Sequence, residues 1–183
     1  MNLGPGHVRG QCVVSDKYKI CFILIPKNMS STMREYIKTK LNGYEYNYFK
    51  CTQQQKEYFT FAILRDVKPR FYSAIDTILL RKQNDISKMN NTNLKFYVNN
   101  HVDPHLVKQS EFIKDINVNV LVNMEIFSKY MEKNINKSSN VRHNIRVNDD
   151  VIIDAYKNDI ALYESSKNMN VDNFLKMLRI LVI

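Results

Sequence analysis

The segment from residue 18 to residue 34 constrains this chain most. An apolar run over residues 18–25, rich in Ile, Phe, Tyr and Cys, stops at Pro26-Lys27. Asn28-Met29-Ser30-Ser31-Thr32 then leads into a pattern that places Met33, Tyr36, Ile37 and Leu41 on one helical face. The reading is a strand buried on both faces, a tight loop and a helix over 30–41 that Asn42-Gly43 ends. Such a junction exposes unpaired backbone N–H groups under the positive end of the helix dipole, which suits a phosphate or sulfate group. Phe61-Ala-Ile-Leu-Arg-Asp-Val-Lys-Pro-Arg-Phe-Tyr-Ser-Ala-Ile75 repeats the logic further along. Two anion sites so spaced point to a ligand with phosphates at both ends.

The remaining pattern predicts one domain over 1–183, with residues 1–16 as an irregular lead-in. Short strands are expected at 44–49, 58–64 and 118–122, and helices at 68–82, 94–99, 126–134, 149–165 and 171–181. The stretch 53–57 reads as loop or short helix. Polar, Asn-rich stretches at 83–93 and 136–148 read as loops. Strand, loop and helix in alternation predict an α/β fold with a mainly parallel central sheet.

Hydrophobic content of 44% and charged content of 25% are ordinary for a globular domain, and no apolar run is long enough to span a bilayer. Cys12, Cys21 and Cys51 form no CxxC pair, which argues for reduced structural thiols over a disulfide framework or a metal site. The net charge of +9 calls for an anionic partner. The basic residues are scattered and no zinc-finger spacing accompanies them, so nucleic acid is not the partner they favour. The N-terminus lacks the basic and apolar regions of a signal peptide, so the expected location is the cytosol, with a luminal catalytic fragment as the alternative.

In the first loop, Lys27 adds a full charge, and Ser30, Ser31 and Thr32 can cap the helix and donate to anionic oxygens. A nucleoside-triphosphate loop would need G-x-x-x-x-G-K-[ST], and the glycines stand at 4, 6, 10 and 43, none in the loop. In the second segment, Arg65 offers a forked donor at a strand end, with Ser73 on the facing helix. Arg70 lies four residues beyond Asp66, which predicts an ion pair between them.

Pro26-Lys27-Asn28-Met29-Ser30-Ser31-Thr32 resembles the 5′-phosphosulfate loop of sulfotransferases that use 3′-phosphoadenosine 5′-phosphosulfate (PAPS). Arg65-Asp-Val-Lys-Pro-Arg-Phe-Tyr-Ser73 resembles their 3′-phosphate motif R-D-P-x-x-R-x-x-S, with Val67 in place of proline. Asp103-Pro-His-Leu-Val-Lys-Gln-Ser110 resembles D-x-H-W-x-P-Q without its tryptophan and proline, and the chain has no tryptophan at all. Val122-Asn-Met-Glu-Ile126 and Tyr156-Lys-Asn-Asp-Ile-Ala-Leu-Tyr163 resemble the family's later strand and its closing helix Y-x-x-D-x-x-L-Y. The likeness is to the carbohydrate branch, the chondroitin and HNK-1 type enzymes.

That resemblance implies a P-loop-like three-layer sulfotransferase fold and PAPS as sulfuryl donor, with a carbohydrate hydroxyl as acceptor and no metal. It implies that Lys27, Asn28, Met29, Ser30, Ser31 and Thr32 surround the 5′-phosphosulfate, with Arg65 and Ser73 on the 3′-phosphate. Lys27 would stabilise the leaving phosphate. His105 is the first choice for the base, His101 the second, and Glu35 a third. The rival readings are a nucleotide kinase-like phosphotransferase and a non-catalytic protein that binds PAPS, a nucleotide or a polyanion.

Overall fold

The computed structural model describes residues 9–81, 86–129, 145, 147–170 and 174. Its centre is β2 (Ile20–Ile23), every residue of which is buried, as the unbroken apolar run demands. β4 (Phe59–Leu64) lies parallel beside it, and β5 (Val120–Asn123) parallel beside β4. On the other side β1 (Gln11–Ser15) pairs antiparallel with β2, and β3 (Tyr44–Asn47) antiparallel with β1. The sheet order is β3-β1-β2-β4-β5. The sheet is therefore mixed: a parallel trio, as expected, extended by an antiparallel pair. β1 falls inside the stretch expected to be irregular. A strand this short is fixed by its partners more than by its own five residues.

Helices cover both faces. α1 (Ser30–Lys40) lays Met33 and Ile37 on Phe22, Phe61 and Val122. α6 (Met124–Ser128) adds Phe127 to the same side. On the opposite face Cys12, Cys21, Ile23, Ala62 and Leu64 pack against Phe112 of α5 (Gln109–Ile113) and Tyr163 of α8 (Lys157–Ser166). All three cysteines are unbridged and buried. A further apolar cluster joins α3 (Val67–Arg81), α4 (Leu94–Asn99) and α7 (Asp149–Ala155). The short α2 (Gln53–Lys56) is held by a capping box between Thr52 and Gln55.

The stop of α1 combines two residues. Asn42 takes the left-handed conformation (φ 51), and Gly43 donates its N–H to the Ile37 carbonyl. A Cβ on Gly43 would come within 2.6 Å of Ile37 Cγ2, which explains a glycine there. The single helix expected over 149–165 is two, broken at Tyr156 (φ −115). The expected helix over 126–134 starts earlier, at Met124, and its part beyond residue 129 lies outside the described residues, as does the helix expected at 171–181. No helix among the described residues is long and apolar enough to cross a membrane.

Candidate functional site

The loops that follow β2 and β4 leave the same end of the sheet because these strands are adjacent and parallel. Residues 26–29 form a turn without glycine in which Lys27 (φ 71) and Met29 (φ 58) are both left-handed. Side-chain sterics make each such residue cost about 1–2 kcal/mol, a strain that clusters at ligand-binding loops. Met29 is the residue preceding α1, buried in the core, and no side chain caps the helix. The caps expected from Ser30, Ser31 and Thr32 do not form, because these residues already lie in the first turn. Among the described residues, their hydroxyls and backbone N–H groups have no acceptor.

A cleft of about 390 Å³ opens in front of this turn, lined by Lys27, Ser30, Ser31, Arg34, Arg81 and His105, with Gln11, Leu24, Pro26, Pro104 and Phe112 completing its wall. Three of these residues are cations and none is a carboxylate. The Lys27 ammonium donates to Thr77 Oγ1 on α3. Burial, and then the nearby positive charges of Arg81 and Arg65, hold the Lys27 pKa below its ordinary value. Among the described residues Arg34 makes only a long 3.8 Å ion pair with Glu45, and its buried Nε has no hydrogen-bond acceptor. Asp76 also acts on Lys27, but among the described residues no carboxylate lines the cleft, a setting that suits an anion.

The second motif stands behind the turn. Arg65 donates from Nη1 to the Lys27 carbonyl at 3.2 Å; its other side-chain nitrogens have no partner among the described residues. Ser73 is buried and its hydroxyl likewise has none. Neither residue lines the cleft. Asp66 accepts from the Lys68 amide at 2.9 Å, at the start of α3. The ion pair expected between Asp66 and Arg70 does not form. Arg70, only 2% exposed, donates instead to the carbonyls of Pro26 (3.3 Å) and Val107 (2.8 Å). Its side chain extends inward, where unpaired carbonyls of two loops outcompete a surface carboxylate.

Asn28 also turns inward, donating to the Ile63 carbonyl (2.7 Å) and to Gln109 Oε1. Asn28 Oδ1 has no partner among the described residues, and nothing in them explains this. Gln109 is the hub of this layer. Its Oε1 accepts from the Arg65 amide (3.0 Å) and its Nε2 donates to the Arg65 carbonyl (2.9 Å). The closing-helix residues brace the same segment. Tyr156 donates to the Leu106 carbonyl (2.6 Å), and Asp159 accepts from the Gln109 and Ser110 amides. Tyr163 donates to Glu125 Oε2 (2.9 Å). The segments that resemble sulfotransferase motifs thus hold one another in place. Gln109→Leu strands the Arg65 backbone groups, and is expected to cost about 2 kcal/mol of stability in thermal unfolding.

His105 lines the cleft. His101, at a left-handed turn position (φ 49), does not. Arg142 and His143, basic residues of the stretch read as a loop at 136–148, lie outside the described residues. Arg34, Thr77 and Arg81 are the site residues that sequence reasoning missed, and Asp103 and Gln109 were matched by motif without a role. One signal was available: Arg70, Ser73, Thr77 and Arg81 recur at three- and four-residue intervals, a polar stripe along an apolar helix.

Compared with protein-family models, curated proteins and solved structures, the chain matches none.

Proposed function

We propose that the protein is a PAPS-dependent sulfotransferase of the P-loop-like α/β type, acting on a carbohydrate hydroxyl. The observation that carries the reading is the cleft, with no lining carboxylate among the described residues, in which Lys27, the first-turn groups of α1 and His105 meet. The donor set fits a phosphosulfate: unpaired N–H groups at residues 30–32 and the cations Lys27, Arg34 and Arg81. Arg65 and Ser73, with uncommitted polar atoms behind the turn, are the residues for the 3′-phosphate.

PAPS would supply the sulfuryl group. Lys27 and the amides of Ser30 and Ser31 stabilise the charge that collects on the leaving phosphate oxygen. His105 takes the proton of the attacking hydroxyl, the charge change that imidazole makes near neutrality. In-line attack then leaves positioning and charge stabilisation as the chief demands on the protein.

The cleft continues. A second hollow of about 470 Å³ shares Gln11 and Leu24 with it and runs past Tyr46 and Lys50. Tyr46 is exposed, and an exposed aromatic beside polar groups suits the apolar face of a pyranose ring. The test is transfer of labelled sulfate from PAPS to an oligosaccharide panel. Turnover is expected, with Tyr46→Ala raising the acceptor KM roughly tenfold, the loss of one such contact. ATP turnover without PAPS use would favour the kinase reading instead.

A further inference from the structure

The segment carrying His105 is fixed more tightly than a loop requires. Asp103 is 5% exposed, and its Oδ1 receives the His105 backbone N–H at 2.8 Å. The same oxygen lies 2.7 Å from His105 Nδ1. Two further bonds hold the chain just beyond: Tyr156 on the Leu106 carbonyl and Arg70 on the Val107 carbonyl. With Nδ1 on the carboxylate, Nε2 is the remaining ring nitrogen, and it has no partner among the described residues. The ring lines the cleft that contains Lys27.

We infer that Asp103 is a positioning residue. It keeps the proton of neutral His105 on Nδ1 and presents Nε2 to the cleft as the proton acceptor for the attacking hydroxyl. A buried carboxylate on Nδ1 selects the tautomer, orients the ring and stabilises the imidazolium formed when Nε2 is protonated. The use of that nitrogen rests on the sulfuryl-transfer reading; the tautomer does not. In the step, the acceptor oxygen bonds to sulfur while sulfur separates from the bridging phosphate oxygen, which keeps the electron pair. The acceptor's proton passes to Nε2. Asp103 touches neither reactant.

The backbone N–H of His105 makes the two obvious variants differ. In Asp103→Asn that amide still selects the side-chain oxygen, so the oxygen still faces Nδ1 and the tautomer is retained with the charge removed. In Asp103→Ala both are lost.

The experiment is long-range proton–nitrogen NMR of the histidine rings in the full chain, with His105 assigned by comparison with His105→Gln. The neutral His105 ring is expected to carry its proton on Nδ1 in the wild type and in Asp103→Asn. In Asp103→Ala it should move toward the Nε2–H form usual for exposed histidine. In parallel, Asp103→Ala should lower kcat roughly a hundredfold or more with unchanged adenosine 3′,5′-bisphosphate affinity, and Asp103→Asn should recover part of that loss. A wild-type ring protonated on Nε2, or a tautomer unmoved in Asp103→Ala, would overturn the inference. The wild-type spectrum decides this even if Asp103→Ala does not fold. Failure to bind the bisphosphate, with the tautomer as expected, would overturn the sulfuryl-transfer reading instead.

Discussion

Lys27→Gly is expected to leave the protein folded and to abolish its function. The left-handed backbone at this position (φ 71) is one that glycine adopts without strain. Relief of about 1–2 kcal/mol is offset by the extra entropy of glycine in the unfolded chain, roughly 0.5–1 kcal/mol, so stability should stay within about 1 kcal/mol of wild type. The charge acts in the same direction. Because the Lys27 pKa is lowered in the fold from 10.5, its charged form is disfavoured there. That penalty is fully present below the folded pKa and vanishes as pH rises through the unfolded value. Glycine removes it. On the proposed sulfuryl-transfer reading, removing the ammonium would also remove a charge-assisted contact to the leaving phosphate, and transfer should fall roughly a hundred- to thousandfold. Thermal unfolding together with a transfer assay checks both halves. A variant that loses both stability and activity would mean that Lys27 is structural.

Arg70→Ala should have the opposite signature, a large loss of stability. Among the described residues the guanidinium is the only side chain that donates to the Val107 carbonyl, and it also reaches Pro26. Truncation takes the donor from the buried Val107 carbonyl and the half-buried Pro26 carbonyl, and leaves a cavity where one of the largest fully buried side chains stood. Together these should cost about 3–5 kcal/mol. Against the total stability typical of a domain, about 5–15 kcal/mol, that is severe. Urea unfolding measures it. A loss under about 1 kcal/mol would show that the bonds to Pro26 and Val107 do not hold the two loops together.

These variants mark where the sequence was legible. The strand–loop–helix at residues 20–40 and the strand–helix at 59–81 could be read because their signals are local: apolar runs, a helical stripe, a stop. Lys27 and His105 could be placed by motif, and the cleft brings them together. Arg70 could not, because an i,i+4 carboxylate is visible in sequence and a carbonyl thirty-seven residues away is not. The cap of α5 comes from Asp159, on another helix, so that helix has no local start signal. The break at Tyr156 has a tertiary partner too, the Leu106 carbonyl. The Asp103–His105 contact lies two residues apart yet became meaningful only once the ring was seen to line the same cleft as Lys27.

On the proposed reading, Lys27 and Arg65 serve one bisphosphate-bearing ligand. Isothermal titration of the full chain with adenosine 3′,5′-bisphosphate tests it most directly. Saturable binding is expected, weakened at least tenfold in both Lys27→Gly and Arg65→Ala, the loss of one charge-assisted contact in each. No binding by the wild type, or binding that both variants retain in full, would contradict it.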